Sequence, residues 1–509
     1  MELDISSLPE EVLLHILQFL NIRHRLIASL VCKKWLHLIN CNQLLCDIKI
    51  QFSTKVENTF KSFSHMTREF QWFSFHEIVI ENSALEFLKK YSRQFVRLSF
   101  IDCATVHSKN ESGFEDQIQN CDNLKFLEIR NSNVIHLFHS LPNVTTLIIH
   151  IPSGLTDYVI SELNKSLFKL EVLSLGCYVS CEKVVWKRFY VNGETVETNP
   201  SDLILSFESV RSFIEKHSNT LKVLDISMLQ LLPEAVLIIS KIKGLKLKSI
   251  LFASGLRSKY IQMFCENHSS LTSLDLSSSL YATNETICAV CKCLPNLQEF
   301  VIRYNHVIDS CIIEILQLQH LVKLDLSYSV KISELSYREA VSNLKVFKLK
   351  YLNLAFSEIS DESLFELLRH NLNIRYLNVS RTSISNKTLN MICKNLMVLE
   401  CLVLDSCKTI SDSGLTGEFE NYSDYLTPTP LSNLKNLTKL DLSRIPSITN
   451  DGCLKAIWFL RLRVLHLLEC KSLILQNDIE IQLQKQNPCL RIFVISSLTK
   501  RYEKLNEMT

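Results

Sequence analysis

Glycine is scarce in this chain, with nine in 509 residues. Folds built on tight glycine turns, such as a dinucleotide-binding sheet or a glycine-cornered barrel, are disfavoured on that count. Neither sign of charge is in excess. The 55 Lys and Arg against 53 Asp and Glu leave a net charge of +2, so there is no electrostatic footprint for nucleic acid. No apolar run reaches the roughly 18 residues of a membrane-spanning helix. The opening Met1-Glu2-Leu3-Asp4 lacks the basic and then apolar regions of a signal peptide. The closing Asn506-Glu507-Met508-Thr509 lacks a prenylation box. The expectation is a protein of the cytoplasm or nucleus, without membrane or nucleic-acid partners. Its 18 cysteines, scattered along the chain, should then be reduced thiols.

Catalytic signatures are missing as well. His76-Glu77 is followed by Ile78-Val79-Ile80, which breaks the two-histidine zinc protease motif. There is no phosphate-loop lysine motif and no Gly-x-Ser-x-Gly elbow. Cys288-x-x-Cys291-x-Cys293 has metal-like spacing, but a structural zinc site needs four ligands and no suitable second pair follows. These cysteines fall on the helical half of a repeat, where a thiol packs as a small hydrophobe. Cys177-x-x-x-Cys181 is no stronger. No catalytic residue, metal or cofactor is expected.

What the chain does have begins at its N-terminus. Leu8-Pro9-Glu10-Glu11-Val12 places a proline and two acids where a helix starts. Val12, Leu13, Ile16, Leu17 and Leu20 follow at helical period, and Leu26, Ile27, Leu30, Val31, Trp35 and Leu38 repeat the pattern, with Arg23-His24-Arg25 at the join. About forty residues bury little core alone, so these faces need a partner. The opening Leu-Pro-Glu-Glu, the Ile16-Leu17-x-Phe19-Leu20 and the closing Val31-Cys32-Lys33-Lys34-Trp35 resemble an F-box, the helical module that plugs a protein into a cullin ubiquitin ligase. The family often carries an acid near His24, which this chain does not.

From about residue 43 a second pattern takes over: Leu-x-x-Leu-x-Leu, then small or polar residues. Copies start at Leu124 and Leu221, with a weaker one at Leu170, then at 247, 271, 297, 321, 349, 374 and 399 in steps of 24 to 28 residues, then at Leu437 and Leu462. That is the leucine-rich repeat period, one strand, turn and helix per unit, and single units cannot cover their own apolar faces. Cys407-Lys408-x-Ile410-Ser411-Asp412-x-Gly414-Leu415 and Ile448-Thr449-Asn450-Asp451-Gly452-x-Leu454 resemble the cysteine-containing class of these repeats, the usual companion of an F-box. Ser360-Asp361 and Ser385-Asn386 sit where helix N-caps belong. Weaker copies start at Leu45, Phe75, Phe95 and Val144, and Leu490-x-x-Phe493-x-Ile495 reads as the last strand before a frayed tail from Lys500.

The expected fold class is an α/β repeat solenoid, a leucine-rich repeat horseshoe preceded by a small all-α F-box. Its divisions are an F-box at 1–42 and repeats at 43–509. The repeats are irregular over 43–123, carry insertions at about 176–205 and 416–433, and end in a cap at 490–509. The first insertion holds Val184-Val185-Trp186-Lys187-Arg188-Phe189-Tyr190 and the second Tyr422, Tyr425, Pro428 and Pro430, as partner-binding loops would.

The resemblance implies a substrate-recognition subunit of a Skp–cullin–F-box ubiquitin ligase, promoting ubiquitination and degradation of a target protein. Leu8, Pro9, Ile16, Leu20, Leu26, Leu30, Val31 and Trp35 would build or present the surface for the Skp adaptor, which brings cullin and the ring-finger subunit. Strand positions between the inward leucines point to a substrate surface: Glu128, Asp225, Asp275, Arg303, Asp325, Arg381 and Asp441, an acidic row suited to a basic or mixed-charge ligand. The bland reading of that row is a solvated Leu-Asp-Leu-Ser filler. The rival function is a non-catalytic repeat scaffold independent of the ligase.

Overall fold

Residues 10–45 form four short helices: α1 (Glu10–Gln18), α2 (Ile22–Ala28), α3 (Lys33–Ile39) and α4 (Asn42–Leu45). Pro9 stands at the N-cap of α1, one step before the helical position expected, and its carbonyl accepts from the Leu13 amide at 3.1 Å. Glu10 and Glu11 occupy the first turn, facing the positive end of the helix dipole. Leu13, Leu17, Ala28, Leu38, Ile39 and Leu44 make a small core, with Leu8, Leu14, Leu20, Trp35 and Cys41 packed at its edge.

This is a computed structural model, and it describes the chain except residues 1–4, 6–7, 21, 54–56, 64, 67, 106–117, 139, 152–154, 178–204, 230, 232, 253–255, 278–281, 304–309, 329–334, 336–338, 341–347, 419–427, 474–476, 491, 495–499 and 502–509. Most of the first insertion and half of the second, the aromatic run 184–190, Tyr422, Tyr425 and Ile495 lie outside the described residues. The chain divides into two units, Met1–Leu247 and Lys248–Thr509, so the helices belong to the same unit as the first repeats.

In the first unit seven strands pair in parallel: β1 (Lys49–Ser53), β2 (Trp72–His76), β3 (Arg97–Ile101), β4 (Phe126–Arg130), β5 (Thr146–His150), β6 (Val172–Gly176) and β7 (Val223–Met228). A strand read from Phe75-x-x-Ile78-x-Ile80 is out of register. The inward residues are Phe70, Phe73 and Phe75, and Val79–Ile80 instead pairs with Ala104–Thr105. The Leu45 copy is displaced in the same way, since Leu45 ends α4 and Phe52 is the buried strand residue. Phenylalanines replace leucine here, and Phe52, Phe60, Phe63, Phe73, Phe75 and Phe87 pack ring against ring at 4.7–6.5 Å.

The second unit stacks ten parallel strands: β8 (Ser249–Leu251), β9 (Ser273–Asp275), β10 (Glu299–Val301), β11 (Lys323–Asp325), β12 (Tyr351–Asn353), β13 (Tyr376–Asn378), β14 (Cys401–Val403), β15 (Lys439–Asp441), β16 (Val464–His466) and β17 (Ile492–Val494). The central positions Ile250, Leu274, Phe300, Leu324, Leu352, Leu377, Leu402, Leu440 and Leu465 pair in sequence and are buried. Each such side chain contributes about 1.5–3 kcal/mol by leaving water. The strand after β17 corrects the expectation of a frayed end at Lys500: Lys500–Arg501 pairs antiparallel with Ile492–Phe493.

Two ladders bind neighbouring repeats. Ser206, Ser360, Ser385 and Thr449 cap helices with their hydroxyls. The residue after the cap position does a second job: Asp157, Asp361, Asn386 and Asp412 accept from the backbone N–H of Ser206, Ser385, Ser411 and Thr449 in the next repeat, at 2.6–3.0 Å. This explains the glycine of the Ser-Asp-x-Gly-Leu motif, because a Cβ at Gly414 would overlap Asn386 and one at Gly452 would overlap Asp412. The second ladder is made by thiols. Cys103, Cys407 and Cys470 donate to the carbonyls of Phe75, Val379 and Leu442 at 3.2–3.3 Å. Burial pushes the Cys407 thiol up to about 11, so it remains a protonated donor at neutral pH.

Candidate functional site

Two surfaces stand out, one on the helical module and one on the strand-end face of the second unit. The module is organised by Arg25, a residue the sequence reading left in a turn. The residue is 5% exposed, and its side chain donates to the carbonyls of Leu17, Gln18 and Leu44 at 2.8–3.2 Å and to both oxygens of Asp47 at 2.7 and 2.9 Å. It thereby closes the C-terminal end of α1 and ties it to the segment after α4, where carbonyls lack partners within their own helix. Lys34 donates to the Leu8 carbonyl at 2.9 Å, fastening α3 to the start of the module.

With the polar clasp inside, apolar side chains are left outside. Of the 24 large hydrophobics exposed among the described residues, nine lie between residues 5 and 36: Ile5, Val12, Phe19, Ile22, Leu26, Ile27, Leu30, Val31 and Leu36. Leu30 is 85% exposed and Phe19 79%. Of the residues expected to meet an adaptor, Pro9, Leu26, Leu30 and Val31 are exposed. Ile16 is half-buried, while Leu8, Leu20 and Trp35 are half-buried against the module's own core. Ile5, Val12, Phe19, Ile22, Ile27 and Leu36 are exposed as well, although none is among the eight residues expected at the adaptor contact. A signal existed: Val12, Ile16 and Phe19 form a second stripe at i, i+4, i+7, beside the buried Leu13 and Leu17.

The strand rows are less free than expected. Glu128 accepts from Arg130 at 2.6 Å and from Ser99 at 3.0 Å. Arg130 meets His150 at 3.0 Å, His150 meets Ser174, and Ser174 donates to Asp225 at 2.7 Å. One polar chain therefore runs across β3 to β7. Burial and the neighbouring Arg130 hold His150 below its usual range, against the pull of Asp225 and Glu128. Beside it, Trp72 lies under Lys49 and Arg97, at 5.8 and 5.1 Å from its ring.

From β7 onward, in both units, the aspartates close turns. Asp225, Asp275, Asp325 and Asp441 each accept the backbone N–H two residues on, at Ser227, Ser277, Ser327 and Ser443, over 2.8–3.1 Å. Asp325 also takes Arg303 at 2.8 Å and Asn353 at 3.0 Å and is fully buried. This overturns the expectation that Asp325 stands free on the docking face, and Arg303 is tied to it. Asp441 lies below the usual carboxylate range: burial raises it, but hydrogen bonds from His466 and Ser443 outweigh that. Of the seven expected substrate residues, Arg381 is the exposed one with no ion-pair partner among the described residues.

Each strand from β11 to β16 is followed, three residues on, by a left-handed residue. Tyr328, Phe356, Arg381, Ser406, Arg444 and Glu469 all have φ between 54° and 62°. Non-glycine residues rarely adopt this, and its repetition marks one shared turn that brings equivalent side chains into register. Tyr328 stacks on Phe356 at 4.1 Å, and the Arg381 guanidinium lies 4.6 Å from the Phe356 ring. A cavity of about 1110 Å³ opens beyond them, lined by residues from Arg381 to Lys471.

Among the described residues no group of three or more His, Cys, Asp or Glu could hold a metal ion. The Cys288 and Cys311 sulfurs touch at 3.4 Å, and burial raises Cys291 and Cys265 far above the usual thiol range. Among the described residues no helix is long and apolar enough to cross a membrane.

Residues 5–49 match the family described as F-box-like. The chain is similar to the solved complex of Rad7 and Elc1 in yeast, with 19% identity over 55% of this chain and 78% of that one and a TM-score of 0.41. It is similar to an internalin from Listeria monocytogenes, 15% identical over 75% of this chain and 82% of that one, TM-score 0.36. For the mouse RP105/MD-1 complex the figures are 16%, 84%, 75% and 0.41.

Proposed function

Starting from a chain that joins an F-box-like module to leucine-rich repeats, we propose that it is the non-catalytic substrate receptor of a Skp–cullin–F-box ubiquitin ligase. The observation that carries this reading is the crowding of exposed apolar side chains into the module, from Val12 and Phe19 on α1 to Leu30 and Val31 after α2. Such a surface in water is unfavourable unless another protein covers it. The Skp adaptor is the partner, and cullin and the ring-finger subunit follow through it. The repeats hold a target protein, and the ligase places a charged ubiquitin-conjugating enzyme beside a target lysine, so this chain acts by raising effective concentration. The target is degraded as a result.

The deciding experiment is co-purification of the full chain with the Skp adaptor, comparing wild type with Phe19→Asp/Leu30→Asp. Both side chains are exposed, so the variant should fold with an unchanged thermal transition. Burying two unpaired carboxylates in the contact costs several kcal/mol, which corresponds to at least a hundredfold weaker binding. Adaptor binding that is absent from wild type, or that survives in the variant, would remove this reading.

A further inference from the structure

The helices Ser258–Asn267, Asn284–Cys293 and Ser310–Leu316 of the second unit carry thiols that the receptor reading leaves without a role: Cys265, Cys288, Cys291, Cys293 and Cys311. Two of them meet. The Cys288 and Cys311 sulfurs are 3.4 Å apart, across the packing of neighbouring helices. The inter-repeat ladder puts them there. In later repeats the first residue of a helix meets a side chain from the repeat that follows: Thr388 donates to Asp361 at 2.5 Å, and Asn386 donates to Ser413 at 3.1 Å. Cys311 fills the same place beside Asn284, with its sulfur 3.1 Å from the Asn284 carbonyl and 3.2 Å from its side-chain oxygen. A side chain beside the first residue of a helix also lies near the residue four positions on, one turn along the same face. That residue is Phe365 after Asp361 and Asn390 after Asn386, but it is Cys288 after Asn284. A ladder position that elsewhere holds a hydroxyl here brings two thiols together.

We propose that Cys288 and Cys311 are a reversible redox pair, which peroxide closes into a disulfide that staples the repeats of β9 and β10. Exposure assigns the roles. Cys288 is half-buried and within reach of a small oxidant, while Cys311 is buried. The Cys288 thiolate attacks one peroxide oxygen, the O–O bond breaks, and hydroxide leaves to become water with the proton that Cys288 released. The product is a sulfenic acid in contact with Cys311. The Cys311 sulfur then attacks the sulfenic sulfur, the S–O bond breaks, and the hydroxyl leaves as water with the Cys311 proton. Two thiols lose two electrons, and one peroxide becomes two waters. A bond of about 2.05 Å brings the sulfurs about 1.4 Å closer, a small adjustment of two side chains and their helices. Burial raises Cys265 and Cys291 far above the usual thiol range, so both stay protonated and do not compete. Closure exchanges one link between repeats for another. Cys311 gives up the hydrogen it offers Asn284 and gains a covalent bond one turn away. That bond joins residues 23 apart and restricts the opened chain, which a thiol hydrogen bond does not. Exchange with a reducing dithiol opens it again.

The test uses the full chain at neutral pH, reduced, freed of reductant and then given hydrogen peroxide. Remaining thiols are alkylated and the chain is cut with trypsin. The peptide ending at Lys292 should be found joined to the one that follows Arg303, lighter than their sum by two hydrogens, and dithiothreitol should separate them. Cys288→Ser and Cys311→Ser should each abolish the joined peptide, while Cys265→Ser, Cys291→Ala and Cys293→Ser should keep it. Cys311→Ser retains a hydroxyl for Asn284, so it should fold with an unchanged thermal transition. Amide hydrogen exchange across 284–293 and 310–316 should slow about tenfold in the oxidised chain and recover on reduction. Four results would each overturn the proposal: a bond from Cys311 to another cysteine, a sulfinic acid at Cys288 with Cys311 still a thiol, a joined peptide without slower exchange, or an unreacted Cys288 when the exposed Cys46 and Cys489 are already oxidised.

Discussion

The helical module and the repeats are inside out with respect to each other. The module buries an arginine and exposes Phe19, Leu26, Ile27, Leu30 and Val31. The repeats bury every leucine of the strand motif and expose Arg381, Lys408 and Lys471. The difference has a physical consequence. An exposed apolar face loses free energy in water until a protein of matching shape covers it, so it suits a lasting subunit contact. An exposed cluster of cations is well solvated and can wait for a counter-charge, so it suits a ligand that comes and goes. Each region also holds a buried polar node, Arg25 in the module and Asp325 in the sheet.

Removing a node should have the largest effect. Arg25→Ala leaves Asp47 and three helix-end carbonyls without their donor and should cost about 3 kcal/mol, read by denaturant unfolding. Adaptor binding should fall with it, while the second unit keeps its own unfolding transition. Loss of both together would break the distinction between the regions. Asp325→Ala should be nearly as damaging, about 2–3 kcal/mol, because it strands Arg303 and the Ser327 amide.

Next in size is the inter-repeat ladder. Gly452→Ala forces Asp412 away from the Thr449 amide and should cost about 1–2 kcal/mol, measured on the same unfolding transition. Asp412→Ala combined with it should cost little more than either alone, since both break one contact.

Acid should weaken the first unit selectively. Burial, with Lys216 beside it, pushes His217 down to about 4, while the unfolded side chain titrates near 6.5. Between these values the unfolded chain binds the extra proton, so stability is full above about 6.5 and falls as pH drops through the window. His150 and His76 are lowered too and act in the same direction. Melting at pH 7 and pH 5 should differ by about 1–2 kcal/mol, and His217→Phe should flatten the dependence. A Tm that rises on acidification would contradict the buried neutral imidazole. The smallest difference is one of salt. Raising sodium chloride from about 0.1 to 0.5 M shortens the screening length and should leave adaptor binding, which rests on apolar contacts, unchanged or tighter.

Much of this was readable in the residues. The copies from Leu124 to Leu462 coincide with strands, and Ser360 and Ser385 do cap helices. The N-terminal repeats were misread because phenylalanine supplies the motif there, as Phe70-x-x-Phe73-x-Phe75, and a search led by leucine and isoleucine lands on Ile78 and Ile80. The acidic row was placed correctly along the strands, but spacing says nothing about who else bonds to a carboxylate. Asp325 is consumed by residues 22 positions before it and 28 after it.

Period and composition by themselves determined a parallel stack of strand–turn–helix units behind a small helical module, because burial of leucine at fixed spacing admits little else. Only the tertiary structure decided which polar groups are spent and which are free. Arg25 is inside because the C-terminal ends of α1 and α4 and the Asp47 carboxylate converge on it, and Asp325 is inside because the neighbouring repeats supply donors. The basic groove exists because a left-handed turn, repeated at the end of four strands, brings Arg381 and Lys471 to one wall across 90 residues of chain.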